Sequence, residues 1–162
     1  MGSTRTPFAV KGGGHTINPG FSSTRGVQIS MTRFNEINVN STAATVELGP
    51  GLTWDRVYAA LDPSGVNVIG GRVPGIGVAG LTLGGGEYLP SYDVPTAMTC
   101  RYRVGYSWKT NQYGLTVDNV VGYELVLPNG TITSVTSDDT DLWFGLRVSG
   151  YRPSRSAFSP TT

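Results

Sequence analysis

Phe8-Ala9-Val10-Lys11-Gly12-Gly13-Gly14-His15-Thr16 is the stretch from which the fold of this chain is read. A short apolar run, suited to a strand end, opens into three consecutive glycines and then the only histidine of the chain. Without Cβ atoms, that turn of main chain can approach a ligand closely and aim N–H groups at an anion such as a pyrophosphate. The imidazole directly after it is placed as a nucleophile or ligand beside whatever the loop holds. A glycine cluster alone is more often the mark of an ordinary turn. A second block, Pro74-Gly75-Ile76-Gly77-Val78-Ala79-Gly80-Leu81-Thr82-Leu83-Gly84-Gly85-Gly86, shifts that balance. Two glycine-rich loops in one small chain read as two walls of a large cofactor site. A helix starting near Val78 would direct its first N–H groups at the same anion.

Composition narrows the class. The chain has 162 residues, a single-domain length. Glycine contributes 23 residues and charged side chains only 14%, so the chain is turn-rich and globular in composition rather than a charged, disordered tail. The net charge is +1 and Lys and Arg are scattered, with no basic stripe for nucleic acid. Cys100 is the sole cysteine, which excludes an internal disulfide and a cysteine metal cluster, and one histidine excludes the common zinc patterns. No apolar run approaches the ~20 residues of a membrane span, and residues 1–7 lack the apolar core of a signal peptide. Asn40-Ser41-Thr42 and Asn129-Gly130-Thr131 are glycosylation sequons.

Working outward, residues 8–10 read as a strand end, and residues 16–26 as loop. Alternation predicts half-buried strands at Val27–Met31, Ile37–Asn40 and Thr45–Leu48. Trp54, Val57, Tyr58 and Leu61 share one helical face, with Thr53 as candidate N-cap and Asp55 in the first turn. Val66–Gly71 reads as a short strand. Residues 87–105 lack any sustained period and read as a long surface loop. Alternating runs at 123–127 and 131–135 flank Pro128-Asn129-Gly130, a hairpin signal. Asp141–Leu146 can begin a helix. Residues 148–162 show no core pattern and are expected to be disordered.

These pieces together resemble the FAD-binding PCMH-type domain of the vanillyl-alcohol-oxidase flavoproteins, and within them the berberine-bridge-like and fungal FAD-linked oxidases. The resemblance rests on Val10-Lys11-Gly12-Gly13-Gly14-His15, Gly26-Val27-Gln28-Ile29-Ser30-Met31, Gly49-Pro50-Gly51, Gly70-Gly71-Arg72, Gly75–Gly86, Gly114-Leu115 with Asp118-Asn119, and Val126-Leu127-Pro128-Asn129-Gly130, in family order. It implies an α+β fold with a mixed or antiparallel sheet and flanking helices. It also implies FAD as cofactor, held by Gly12, Gly13, Gly14, His15 and Thr16 and by Gly75, Gly77, Val78 and Gly80. Asp118 lies where the family surrounds the flavin and its ribityl chain. His15 matches the position that carries the isoalloxazine ring in covalent members. The second, cysteinyl link of bicovalent members falls at Val73, so attachment here would run through His15 alone.

Three departures from the family pattern set further expectations. Joining Gly86 to Tyr106 restores the family's Gly-Gly-Gly-Tyr-Ser-Trp run, so residues 87–105 read as an insertion. Residues 1–147 are then the FAD-binding domain, with an unrelated tail from 148. The opening βα unit and the later substrate domain are missing from the resemblance, so the domain is expected to be incomplete at both ends. The implied function is an FAD-dependent oxidoreductase domain that takes a hydride from an alcohol, sugar or secondary metabolite, with oxygen as acceptor. The alternative is a truncated, inactive remnant of such an oxidase; a third class is a carbohydrate- or nucleotide-binding module without redox chemistry. A small-molecule substrate is implied, with no nucleic-acid or membrane partner. Full-length relatives are often secreted. No catalytic residue, substrate or oligomeric state is read from the chain.

Overall fold

A computed structural model describes residues 6–16, 20–21, 23–84 and 107–147, and the backbone of 158–161. Strand β1 (Phe8–Lys11) pairs in parallel with β2 (Val27–Ser30), Phe8 opposite Val27. Strands β3 (Ile37–Asn40) and β4 (Thr45–Leu48) form an antiparallel hairpin. Helix α1 (Trp54–Leu61) runs into a 3-10 turn at Asp62–Ser64. Helices α2 (Val78–Leu83) and α3 (Thr110–Tyr113) and a second 3-10 turn, Thr116–Asn119, lead to the hairpin β5 (Gly122–Val126) and β6 (Ile132–Val135). Helix α4 (Thr140–Arg147) and strand β7 (Phe158–Thr161) follow. The larger sheet has the order β3-β4-β7-β5-β6, all neighbours antiparallel. The expected α+β class with mixed and antiparallel pairing therefore holds.

Two apolar clusters organise the chain. Trp54, Val57 and Leu61 of α1 are buried with Val46 and Leu48 of β4, Leu52, and Val78 and Leu81 of α2. The second cluster joins Tyr123 and Leu125 of β5, Val135 of β6, Val120 and Leu146 of α4, with Trp143 and Leu83 against it. Helix α2 thus lends Val78 and Leu81 to one cluster and Leu83 to the other. The helical face read from sequence is the one that packs, since a 3.6-residue period places those side chains on one stripe. In β4 and β5 the alternation works as expected: Val46, Leu48, Tyr123 and Leu125 face inward and Glu47 and Glu124 outward.

The structure corrects several local expectations. Thr53 sits at the N-cap position of α1 but makes no side-chain cap; it forms a β-bridge to Gly77. Val66–Gly71 is not a strand. Its backbone lies against Trp54 rather than a neighbouring strand: Gly71 leaves only 2.8 Å between a would-be Cβ and the Trp54 ring, and its carbonyl accepts the Tyr58 hydroxyl at 3.0 Å. The hairpin around Asn129 closes on a three-residue loop, with Leu127 N–H bonded to Thr131 C=O and Gly130 at φ 88°. Of the tail expected to be disordered, Phe158–Thr161 forms a strand between β4 and β5. Those two strands would otherwise present unpaired backbone edges toward each other, a pairing that side-chain patterning does not reveal. The rest of 148–162 and the expected insertion at 87–105 lie outside the described residues. The contact of α2 with the 116–119 turn brings together chain from either side of that stretch. Among the described residues no helix is long and apolar enough to cross a membrane, and no cluster of His, Cys, Asp and Glu could hold a metal.

Candidate cofactor site

The glycine loop leaves the end of β1, whose Lys11 carbonyl accepts the Met31 N–H at 2.9 Å. The second loop approaches from the start of α2. They meet at Gly13 and Gly77. A Cβ on Gly13 would stand 2.6 Å from the Gly77 nitrogen and 2.7 Å from its Cα; one on Gly77 would stand 2.6 Å from the Gly13 nitrogen. Only residues without side chains allow two backbones to lie this close. The Gly12 position is similarly closed by the Pro50 carbonyl at 3.2 Å.

Backbone conformation reinforces the requirement. Gly14 and Gly75 adopt φ of 70° and 82°, a region costly for L side chains. The imidazole of His15 lies 3.8 Å, at Cδ2, from where a Gly75 Cβ would be, so the sole histidine stands directly beside the second loop. Gly13, Gly14, His15, Thr16, Gly75 and Gly80 are exposed, and among the described residues nothing lies within 4 Å of the Gly80 Cβ position. Among the described residues, the Gly13 and His15 main-chain amides have no intramolecular acceptor. The result is an open cradle of bare main chain with one imidazole at its rim.

The second loop is held from behind by the segment before α1. Trp54 N–H donates to Ile76 C=O and Val78 N–H to Leu52 C=O, each at 2.9 Å. Asp55 Oδ1 accepts the Gly75 N–H at 2.8 Å. That hydrogen bond is the main cause of the Asp55 carboxyl lying below its ordinary pKa, against a smaller opposing cost of burial. Asp55 was read from sequence only as a helix-dipole residue; nothing local could announce a partner twenty positions away. Lys11 was also missed. Its side chain folds over the loop, with the Cε carbon 2.6 Å and the ammonium nitrogen 3.6 Å from the Gly14 Cβ position, which sets a positive charge beside the cradle. A cation immediately preceding three glycines was the available signal.

The remaining predicted residues are placed as follows. Val78 is fully buried in the Trp54 cluster and presents no side chain to the cradle. Asp118 is occupied elsewhere: it accepts the Leu115 N–H at 2.9 Å and pairs with Arg147 at 3.1 Å. It fixes the turn that packs on α2, the helix that carries Val78 and Gly80. The Val73–Pro74 backbone also borders a separate open cleft of about 320 Å³, lined by Asp55, Tyr58, Arg72 and Trp108 and not by residues 12–16. There the Arg72 guanidinium stacks 5.2 Å from the Trp108 ring centre.

A family profile described as an FAD binding domain matches residues 1–104, which is more than half of the chain. This chain belongs to the FAD-binding domain family. The FAD-dependent monooxygenase FUP4 of Fusarium proliferatum is 38% identical over 150 residues, covering 91% of this chain and 25% of that protein. The berberine-bridge-enzyme-like protein 1 of Physcomitrella patens superposes with a TM-score of 0.73 at 24% identity, over 99% of this chain and 31% of that one. A glucooligosaccharide oxidase of Acremonium strictum, described with a 6-S-cysteinyl, 8α-N1-histidyl FAD, superposes at 0.72 with 22% identity, over 98% and 30%. The fold is the PCMH-type, berberine-bridge-like one, and the curated relatives that the chain resembles are named as FAD-dependent monooxygenases and an FAD-linked oxidoreductase. It spans about a quarter of the length of the curated relatives it matches.

The residues present fit FAD. The Gly13–Gly77 contact, the two left-handed glycines and the open space at Gly80 make a cradle that a Cβ would fill at each position, and a dinucleotide diphosphate suits exposed amides beside a lysine.

Proposed function

We propose that this FAD-binding domain holds FAD with its diphosphate across Gly12, Gly13, Gly14 and Thr16 on one loop and Gly75, Gly77 and Gly80 on the other, and with its ring tethered through His15. The observation that carries this reading is the meeting of the two loops at Gly13 and Gly77 with His15 beside Gly75. Lys11 adds charge compensation for the diphosphate. Val78 serves by burying its side chain and locking its amide to Leu52, which holds the loop ahead of it in position. Asp118 serves by fixing the turn behind α2. Asp55 acts as a positioning residue through the Gly75 amide.

When bound, FAD supplies two-electron oxidation chemistry, accepting a hydride from a small-molecule alcohol, sugar or secondary metabolite, with oxygen as final acceptor. His15 would hold the ring, its imidazole giving up the N–H proton to take a nitrogen–carbon link at the 8α position, and the two electrons released by that oxidative coupling would leave through the flavin to oxygen. Val73, which has no thiol, leaves His15 as the only tether.

The test is the colour of the purified chain. Flavin absorbance that survives acid precipitation is expected in the native chain and is expected to vanish from the precipitate of His15→Ala. Acid-stable colour in His15→Ala would refute the tether; a colourless native chain that also takes up no added FAD would refute the cofactor reading.

A further inference from the structure

We propose that Asn40 and Asn129 are acceptor sites for N-linked oligosaccharide. Both stand in Asn-X-Thr sequons, Asn40-Ser41-Thr42 and Asn129-Gly130-Thr131, which the cofactor reading leaves unused. Each lies at an exposed hairpin tip, Asn40 closing β3 and Asn129 in the β5–β6 loop.

The geometry of the two side chains is the same in kind. Asn40 Oδ1 accepts the N–H groups of Thr42 and Ala43 at 3.1 and 3.0 Å. Asn129 Oδ1 accepts the Thr131 N–H at 3.0 Å. The carboxamide oxygen is committed to the turn in both. That leaves Nδ2, the atom that bonds a sugar, without an acceptor among the described residues. A glycan on Nδ2 therefore costs neither turn a hydrogen bond.

A second observation concerns what surrounds the tips. Val39, next to Asn40, is 44% exposed; Val126 and Ile132, register partners flanking the Asn129 loop, are 40% and 65% exposed. With only 14% charged residues the chain has little charge to keep such apolar surface in solution. The first sugars of a glycan at Asn129 would lie beside the Val126–Ile132 pair, whereas Val39, the neighbour of Asn40 along β3, faces the other side of that strand. Strands β4 and β5 both run antiparallel to β7, so the two tips project from opposite ends of the sheet. Neither tip contributes to the glycine cradle, and glycans there leave it open.

The reaction needs a polyprenyl-diphosphate-linked oligosaccharide as donor. The bond between the sugar C1 and the diphosphate oxygen breaks, the C1–Nδ2 bond forms, asparagine loses one proton and polyprenyl diphosphate leaves, with no redox change.

The test is expression of the full chain behind a cleavable secretion leader in yeast, with masses read before and after peptide N-glycosidase F in both the medium and the cell-associated pool. Transfer occurs on the translocating chain, so reading both pools keeps the test independent of folding. Two glycans are expected, one lost in each of Asn40→Gln and Asn129→Gln and likewise in Thr42→Ala and Thr131→Ala. Enzymatic removal of both should raise the fluorescence of an apolar dye about twofold, as the valine and isoleucine surface is uncovered. Bare peptide mass in both pools overturns the proposal. One occupied site overturns it for the other asparagine, and unchanged dye binding overturns the covering role.

Discussion

Gly80→Ala separates the cofactor reading from a purely structural account of the glycines. Gly80 lies in the third position of α2, and among the described residues nothing beyond the helix's own backbone comes within 4 Å of the point where a Cβ would be. As a helical residue with open space around it, its replacement by alanine should stabilise the chain by about 0.8–1 kcal/mol, the difference in helix propensity. For a chain of this size that raises the melting temperature by roughly 2–4 °C. If the open space is where the dinucleotide lies, the same methyl must weaken FAD uptake. Gly13→Ala is the contrasting variant. Its Cβ meets Gly77 at 2.6 Å, so the loops must part by about 0.8 Å to reach the 3.4 Å of ordinary contact. Such overpacking costs about 1–3 kcal/mol. Stability and binding should both fall in Gly13→Ala, whereas in Gly80→Ala stability rises as binding falls. Thermal melts and titration with FAD, followed by flavin fluorescence, in a His15→Ala background that carries no covalent flavin, give the two readouts. A stabilised Gly80→Ala that binds FAD as tightly as the native chain would place the cofactor away from α2 and refute the cradle.

The Asp55 carboxyl is depressed mainly by the Gly75 amide, so its contribution is in place above the unfolded carboxylate pKa and is lost as pH falls through the lower folded value. Asp55→Asn keeps a neutral acceptor and should flatten the acid limb of stability in denaturant titrations between pH 2 and 5; an unchanged limb would remove this residue's role. Ala44 holds φ 51° in the β3–β4 turn, and Ala44→Gly should stabilise by about 1 kcal/mol, the left-handed cost relieved less the entropy of glycine. Destabilisation in a melt would contradict the turn geometry. The Tyr123 hydroxyl is buried without a hydrogen-bond partner among the described residues, and burial raises its pKa to about 12. Tyr123→Phe should therefore be neutral or stabilising by up to about 1 kcal/mol, and a loss of more than that would mean the hydroxyl has a partner.

Much of this molecule was legible before folding. Trp54, Val57 and Leu61 specify α1 because a single helical stripe can bury all three, and Asn129-Gly130 between alternating runs specifies a hairpin because glycine accepts φ 88° at no steric cost. The two glycine loops announced a site for the same local reason, the absence of Cβ atoms.

Whatever depended on distant chain was invisible to that reading. Val66–Gly71 alternates like a strand, yet the Trp54 ring and the Tyr58 hydroxyl claim its backbone. Phe158–Thr161 carries no strand pattern, yet it pairs because β4 and β5 each leave an edge beside it. The sequence by itself determined which backbone is bare and which faces are apolar, because side-chain chemistry and periodicity are local properties. Only the tertiary structure decided that Gly13 touches Gly77, that Asp55 grips Gly75 and that Asp118 turns to Arg147, because those contacts are chosen by how the two apolar clusters pack around α2.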